Sequence, residues 1–416
     1  MLIENFITFF ARKENSRYLQ FSPSASLLLP PKEDDVPILL YLHVPFCEEL
    51  CPYCSFHRVL FQKSLAQDYF SALRQEIKLY KELGYDFKGV YVGGGTPTVL
   101  IDELTTTLEL VKKIFSVNEI SVETNPNHLN KNNLKVLKDI GVNRLSVGVQ
   151  SFDNRLLKAM ERYHKYGSGA EVAERLKQTQ GIFDTLNVDM IFNFPLQTPA
   201  ILERDLSTLL ELGVDQITYY PLMVASAAQE SIEKKLGRVN YAREKTYYQI
   251  ITSMLPPQYQ PATAWCFSRS KAMIDEYVIN FDEYVGAGSG AIGYLGGSAY
   301  ANTFNLKEYI QIVKEGKLPI TARRDFSIKE KARYEFLMKL FGLSIDLEKL
   351  KAKLGGNIYR YLGAEILFFL TIGGLKKQKN MLFLTPKGQY YWVIMMREFF
   401  IAVNNFRDYC RRKNNL

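Results

Sequence analysis

Tyr41–His57 reads YLHVPFCEELCPYCSFH, and it sets Cys47, Cys51 and Cys54 in a C-x3-C-x2-C spacing. The 416-residue chain has only five cysteines, and the other two, Cys266 and Cys410, stand alone. Three thiolates on one loop can wrap a metal centre. A structural zinc site needs four ligands, and His57 would complete a Cys3His set. A four-iron cluster ordinarily takes four cysteines, so three leave one iron open to a further ligand. The spacing favours iron–sulfur over zinc, and either over three unliganded buried thiols. Cys266 and Cys410 read as buried apolar thiols. His43 and His57 read as core or supporting groups.

Outward from this loop the chain alternates short β-branched or aromatic runs with segments of helical period. The expected strands are 38–46, 89–95, 119–125, 143–150, 186–192 and 216–222. The expected helices between them include 64–84, 101–115, 130–141 and 202–213, with Gly84, Gly141 and Gly213 as C-terminal stops. Strand–helix units in series imply a parallel α/β sheet, either open and doubly wound or a partial barrel. Functional residues then belong where strands end. Cys47 follows the first strand, GGGTPT ends the second, Glu123 the third and Gln150 the fourth, and Asp189 lies in the fifth.

After Leu222 the regularity fades. The stretch 283–298 is Gly-rich and sits between helical patterns. From Phe326 a small module begins, helical first, and 373–400 reads as a hairpin followed by a helix, a winged-helix-like signature. The expected organisation is an N-terminal extension (1–37), a partial barrel (38–225), a barrel-completing and substrate region with the Gly-rich loop (226–325), and a C-terminal helical domain (326–416).

Composition is that of an ordinary globular protein, 47% hydrophobic and 23% charged. An odd cysteine count in so long a chain does not suit a secreted disulfide framework. The opening segment reads as amphipathic rather than as a signal peptide, and no apolar run reaches the ~18 residues of a membrane span. Cytoplasm is the expected compartment. The net charge of +8, part of it in a basic tail of Arg397, Arg407, Arg411, Arg412 and Lys413, reads chiefly as a solvated face, and Arg411-Arg412-Lys413 is too short a run to suggest nucleic-acid binding.

The cysteine spacing, with Tyr53 before the last cysteine and VGGGTPT (92–98) after the second strand, resembles the radical S-adenosylmethionine (SAM) superfamily. The motifs YLHVPFC, GGGTPT, VETNP, RLSVGVQSFD, VDMIFNFPLQT and EYVGAGSGAIGYL resemble, in order, those of the oxygen-independent coproporphyrinogen III oxidase family over roughly residues 38–300. The resemblance implies a partial (β/α)6 barrel around a [4Fe–4S] cluster and one or two SAM molecules. It implies that Cys47, Cys51 and Cys54 hold the cluster and that Tyr41, carried over as the catalytic tyrosine, stands beside SAM. Gly94, Gly95 and Thr96 would lie along SAM. Glu123, Gln150, Arg162 and Asp189 would hold SAM or a second SAM. It further implies a tetrapyrrole or other small-molecule substrate and a reducing partner such as a flavodoxin or ferredoxin.

The family's branches differ in ways the residues can test. The dehydrogenase carries a further cysteine where this chain has Phe56. The haem chaperone carries a His-Asn-x-x-Tyr-Trp motif where this chain reads EYVINFDEYVGAG, without His or Trp. The haem-degrading methyltransferases keep three cysteines without the extra one, and GAGSGAIGYLGGSAY (286–300) resembles them somewhat. Oxidative decarboxylation of a tetrapyrrole, radical methyl transfer and haem carriage all stay open at this point.

Overall fold

The computed structural model describes residues 2–18, 28–33, 36–226, 229–270 and 279–413. The first three residues of the stretch set against the haem-binding motif, 276–278, lie outside the described residues. Six strands, β1 (Ile38–Val44), β2 (Phe87–Gly94), β3 (Glu119–Thr124), β4 (Arg144–Gln150), β5 (Thr185–Phe192) and β6 (Gln216–Pro221), pair in chain order. Every pair is parallel. Helices cover the sheet, so the strands are near-continuous apolar runs; all of β1 is buried except Tyr41. The helix Lys63–Glu82 turns Tyr69, Leu73, Ile77 and Tyr80 inward, and Ile101–Ile114 does the same with Leu104, Leu108 and Val111. Gly213 stops the helix Pro199–Leu212 in the left-handed region at φ 63°.

The Gly-rich stretch 283–298, expected as a loop, forms strands. Glu283–Ala287 is a strand that pairs parallel with β1, and Ile292–Leu295, Ser298–Asn302 and Ile320–Asp325 extend the sheet antiparallel from it. At the other edge Cys266–Ser268 pairs antiparallel with β6 and Gln260–Pro261 with Cys266–Ser268, giving one twelve-stranded sheet among the described residues. Glycine hid these strands. A Cβ at Gly286 would collide with the Ile292 carbonyl, and one at Gly293 with the Tyr300 ring. The close pairing needs glycine, and glycine erases the apolar alternation that marks a strand.

The C-terminal part holds the helix Ile328–Phe341, the helix Tyr359–Thr371, a small antiparallel sheet and the long helix Pro386–Lys413. The expected hairpin, Leu375–Gln378 with Met381–Leu384, gains a third strand, Ser344–Asp346. Trp392 of the long helix is fully buried and donates to the Leu337 carbonyl at 2.9 Å. Part of the basic tail is not a solvated face, because Arg397 is buried between Glu244 and Glu398. The N-terminal helix Leu2–Tyr18 lies along the same long helix and is tied to it by Arg12–Glu398. Among the described residues no helix is long and apolar enough to cross a membrane.

One buried carboxyl joins the added strands to the barrel. Glu76 accepts from Gly288 N at 2.8 Å, Tyr309 OH at 2.6 Å and Asn302 Nδ2 at 3.1 Å. Burial outweighs these donors and pushes it up to about 7. The folded chain therefore keeps a proton that the unfolded chain has released, so Glu76 costs stability as pH rises from the ordinary glutamate range through about 7. Glu76→Gln keeps the shape and an acceptor but does not titrate. Thermal melts between about pH 5 and 7 should show a smaller loss of stability with rising pH in the variant. Identical slopes would refute the assignment.

Candidate functional site

The cysteine loop springs from the end of β1. Phe46–Cys47 pairs with Val59–Leu60, and Phe61 N donates to the Cys47 carbonyl at 2.8 Å, so both ends of the loop are pinned together. Within it Cys54 N donates to Cys51 O at 3.2 Å. Arg58 Nη2 donates to the carbonyls of Cys51 and Cys54 at 2.5 and 2.7 Å. Lys165 Nζ donates to Glu49 O at 2.9 Å. Two cations thus fix the backbone of a loop whose sulfurs must become thiolates to bind metal.

Cys47 is buried, and that burial, followed by the neighbouring Cys54, pushes its thiol up to about 11. A metal cation at the sulfur reverses this preference. Hydrogen bonds already reach two of the sulfurs. Thr96 Oγ1 donates to Cys47 Sγ at 3.7 Å and Arg162 Nη1 to Cys51 Sγ at 3.7 Å. Asn125 bridges these two donors, giving its Nδ2–H to Thr96 Oγ1 at 2.7 Å and taking Arg162 Nη2–H on Oδ1 at 3.3 Å. Cys47, Thr96, Asn125, Arg162 and Cys51 therefore form one hydrogen-bonded chain. Arg162 also holds Tyr53 OH at 3.2 Å and the Gly148 carbonyl.

The glycine turn at the end of β2 lies against the loop. A Cβ at Gly95 would sit 2.6 Å from Phe46 O and 3.0 Å from Cys47 Sγ. One at Gly94, whose φ is 121°, would meet His43 and the Val44 carbonyl, each at 2.9 Å. Glu123 reaches up from β3, accepting from Gly94 N at 3.1 Å and Tyr91 OH at 2.9 Å. On β5, Asp189 accepts from Ser146 Oγ and Asn187 Nδ2, both at 2.8 Å. Gln150 leaves β4 at φ 76°, unusual for a residue with a side chain, beside a slip in the β4–β5 register.

Tyr41 is oriented by His43. His43 Nε2 lies 2.9 Å from the His57 carbonyl, which can only accept, so Nε2 carries the proton. Nδ1 is then an acceptor, and Tyr41 OH donates to it at 2.9 Å. Burial pushes His43 down to about 4, which keeps it neutral, and burial followed by Glu123 raises Tyr41. His57 turns Nε2 to Ser289 Oγ at 3.3 Å and packs edge-on against Phe304. It is a core group, as the sequence suggested. Cys266 is buried, and Cys410 is half-buried beside Phe406.

Tyr41, the three cysteines, Gly94, Gly95, Glu123, Gln150, Arg162 and Asp189 all line one cavity of about 430 Å3; Thr96 is buried directly behind its wall. The cavity continues into an aromatic compartment supplied by the added strands and the C-terminal part, with Tyr284, Tyr294, Tyr334, Phe326, Phe399 and Phe400 on its walls. Tyr294 and Tyr334 pack with ring centroids 4.4 Å apart. The long C-terminal helix both packs and lines: Trp392 faces the core, while Met396, Phe399 and Phe400 face the cavity. Asn125, Arg58 and Lys165 were not picked out from sequence. Asn125 carried a signal, standing two residues after Glu123 in VETNP.

Residues 41–209 match the family model described as the radical SAM superfamily. The chain is 30% identical over 367 residues to the heme chaperone HemW of Bacillus subtilis (strain 168), covering 84% of this chain and 95% of that one. It is 26% identical over 365 residues to the oxygen-independent coproporphyrinogen III oxidase of Helicobacter pylori (strain ATCC 700392 / 26695), covering 80% and 79%. Its fold superposes on coproporphyrinogen III oxidase (HemN) from Escherichia coli with a TM-score of 0.74, at 23% identity over 92% of each chain. The chain belongs to the radical SAM superfamily, in the family that holds the HemW and oxygen-independent coproporphyrinogen III oxidase proteins.

The superfamily's cofactors are a [4Fe–4S] cluster and SAM. The residues present fit them. Three thiols share one loop, two donors point at their sulfurs, and the adjoining glycine turn leaves a cradle that a Cβ would fill. Among the described residues no three His, Cys, Asp or Glu side chains close on a point as ligands of a single ion would. His57 turns Nε2 to Ser289 and packs against Phe304, while its Nδ1 is buried without a hydrogen-bond partner.

Proposed function

We propose that the protein is a radical SAM enzyme acting on a tetrapyrrole, with the cluster and SAM at the strand ends of the barrel and the substrate in the aromatic compartment. The observation that carries this reading is the single cavity joining the cysteine loop to that compartment. When bound, cluster and SAM together supply a 5′-deoxyadenosyl radical, given an electron from a donor such as a flavodoxin or ferredoxin. The chain's own residues hold and orient. Cys47, Cys51 and Cys54 take three irons. Gly94 and Gly95 let backbone approach SAM. Glu123 and Asp189, fixed by their donors, accept from its hydroxyls or ammonium, and Gln150 and Arg162 complete the wall. Tyr41, its proton committed to His43, offers the cavity an acceptor. Aromatic walls exclude water from a reactive carbon centre.

The favoured chemistry is oxidative decarboxylation of propionate side chains, with radical methyl transfer by a second SAM as the alternative within the same cavity. Haem carriage without turnover is favoured by one finding, the HemW name of the relative noted above. Against it, none of the four histidines lines the cavity, so no imidazole stands ready as an iron ligand.

The test is anaerobic. The reconstituted protein receives SAM, reductant and either coproporphyrinogen III or haem, and products are read by mass spectrometry. Substrate-stimulated 5′-deoxyadenosine with loss of carboxyl groups is the expected result. S-adenosylhomocysteine with a methylated or ring-opened tetrapyrrole would replace decarboxylation by methyl transfer. Haem bound stably with no SAM cleavage would replace the enzyme by a carrier.

A further inference from the structure

We infer that the outer face of the cysteine loop is the docking surface for the electron donor, and that the donor is a small acidic carrier protein. The inference rests on the radical SAM assignment and on the need for a donor stated above, and it is independent of the substrate. Three large apolar side chains stand exposed on this one loop, Leu50 at 40%, Phe56 at 47% and Leu60 at 55%. Leu60 is the register partner of Cys47 across the two-strand ribbon that closes the loop. Cys51 and Cys54 are themselves partly exposed. A carrier seated here is separated from the three thiols by the loop alone. Exposed apolar side chains gathered in one place mark a contact surface, and encounters between electron carriers need only a small one.

Charge names the partner. Lys63 follows Leu60 by three residues, is exposed, and opens the helix Lys63–Glu82. A cation there opposes the helix dipole, whose N-terminal end is already positive, and the first turn carries no acidic residue to offset it. The two positive contributions add beside Leu60. Further along the loop, Cys51 and Tyr53 pack against residues of the helix Asn154–Ala159, which exposes Lys158 with its Nζ 4.8 Å over the Tyr163 ring. Lys165 adds its charge from the next helix, with Nζ on Glu49 O. The loop has two acidic residues of its own. Glu48 is turned aside, accepting from Asn127 Nδ2 at 2.8 Å and standing 3.5 Å from His128 Nε2, and Lys165 stands at Glu49. Apolar side chains with cations beside them complement a carrier whose redox group opens among carboxylates, and such fields speed the encounter. One electron leaves the reduced flavin of the carrier and reduces the oxidised cluster; no atom or proton has to cross the interface.

Flavodoxin is the probe. Binding of oxidised flavodoxin to the cluster-loaded protein is read by biolayer interferometry at low and high salt. Cluster reduction, by flavodoxin hydroquinone and separately by dithionite, is read by anaerobic stopped-flow absorbance. The native protein should bind flavodoxin, and less tightly as salt rises. Lys63→Glu combined with Lys158→Glu should weaken binding and slow flavodoxin-driven reduction about tenfold or more, with dithionite-driven reduction near native. Leu60→Gln should lose part of the affinity and keep its salt dependence. Visible absorption of each variant checks that the cluster is in place. The docking surface is refuted if the double variant binds flavodoxin and takes its electron as the native protein does, if it slows equally with both reductants, or if flavodoxin neither binds nor reduces a native protein that dithionite reduces. If dithionite reduces no cluster in the native protein, the cluster assignment falls and the docking surface with it.

Discussion

Cys51→Ala, purified and reconstituted anaerobically with iron and sulfide, is expected to lose the brown colour and broad visible absorption of a four-iron cluster, and with it SAM cleavage. Cys47→Ala and Cys54→Ala should behave alike. Three sulfurs would already leave one iron of a four-iron cluster without a protein ligand, so a two-sulfur site would have little left to hold it. The hydrogen-bonded chain behind the sulfurs predicts a graded series. Thr96→Val removes the donor to Cys47, and Asn125→Ala cuts the link between Thr96 and Arg162. Such supporting groups typically cost ten- to a hundredfold in metal affinity rather than all of it. Cys266→Ala and Cys410→Ala should retain full cluster content, since Cys266 is buried at the far edge of the sheet and Cys410 packs beside Phe406. A full cluster in any of the first three variants would remove the metal assignment.

The difference between these two layers is also the difference in what could be read from sequence. The cysteines are adjacent in the chain, and their spacing is a local pattern. The six barrel strands were legible for a similar reason: covered on both sides, they are compact apolar runs such as ILLYLHV, and their ends move by only a residue or two. The strand Glu283–Ala287 was not legible, because its tight packing on Ile292 demands glycine where a strand pattern needs a large side chain. The Cys47–Thr96–Asn125–Arg162–Cys51 chain was half legible. Its charged member was named from the motif series, but the amide that connects it is an ordinary asparagine in a loop. The aromatic compartment was out of reach, since it joins Tyr284 to Phe399 and Phe400 across more than a hundred residues. Arg407 looked like one more member of a basic tail. Only the packing of the C-terminal helix over Phe56 turns it into a cavity residue.

Gly95→Ala is expected to be nearly as damaging as losing a cysteine, through geometry alone. Its added carbon would lie 2.6 Å from the Phe46 carbonyl oxygen, 2.9 Å from the carbonyl carbon and 3.0 Å from Cys47 Sγ. Two of those atoms are backbone, held by the pairing of Phe46–Cys47 with Val59–Leu60 and by Thr96 N donating to Phe46 O at 2.8 Å. They cannot swing aside as the end of a flexible side chain can. Either the glycine turn lifts away, which moves Gly94 off Glu123, or the cysteine loop shifts and takes Cys47 with it. Forcing a methyl into a site of this kind costs about 1–3 kcal/mol. That is affordable for a chain of this size, so the variant should fold, with the damage concentrated at the cluster and at SAM. Gly84→Ala is the comparison. Unlike Gly95 it has a positive φ, 81°, but its carbon would meet nothing within 4 Å, so the substitution adds only backbone strain. Iron content, visible absorption and SAM affinity measured side by side should be near native for Gly84→Ala. For Gly95→Ala, SAM affinity should fall by about tenfold or more even where some cluster survives. Equal behaviour of the two variants would mean that the glycine turn does not shape the cavity.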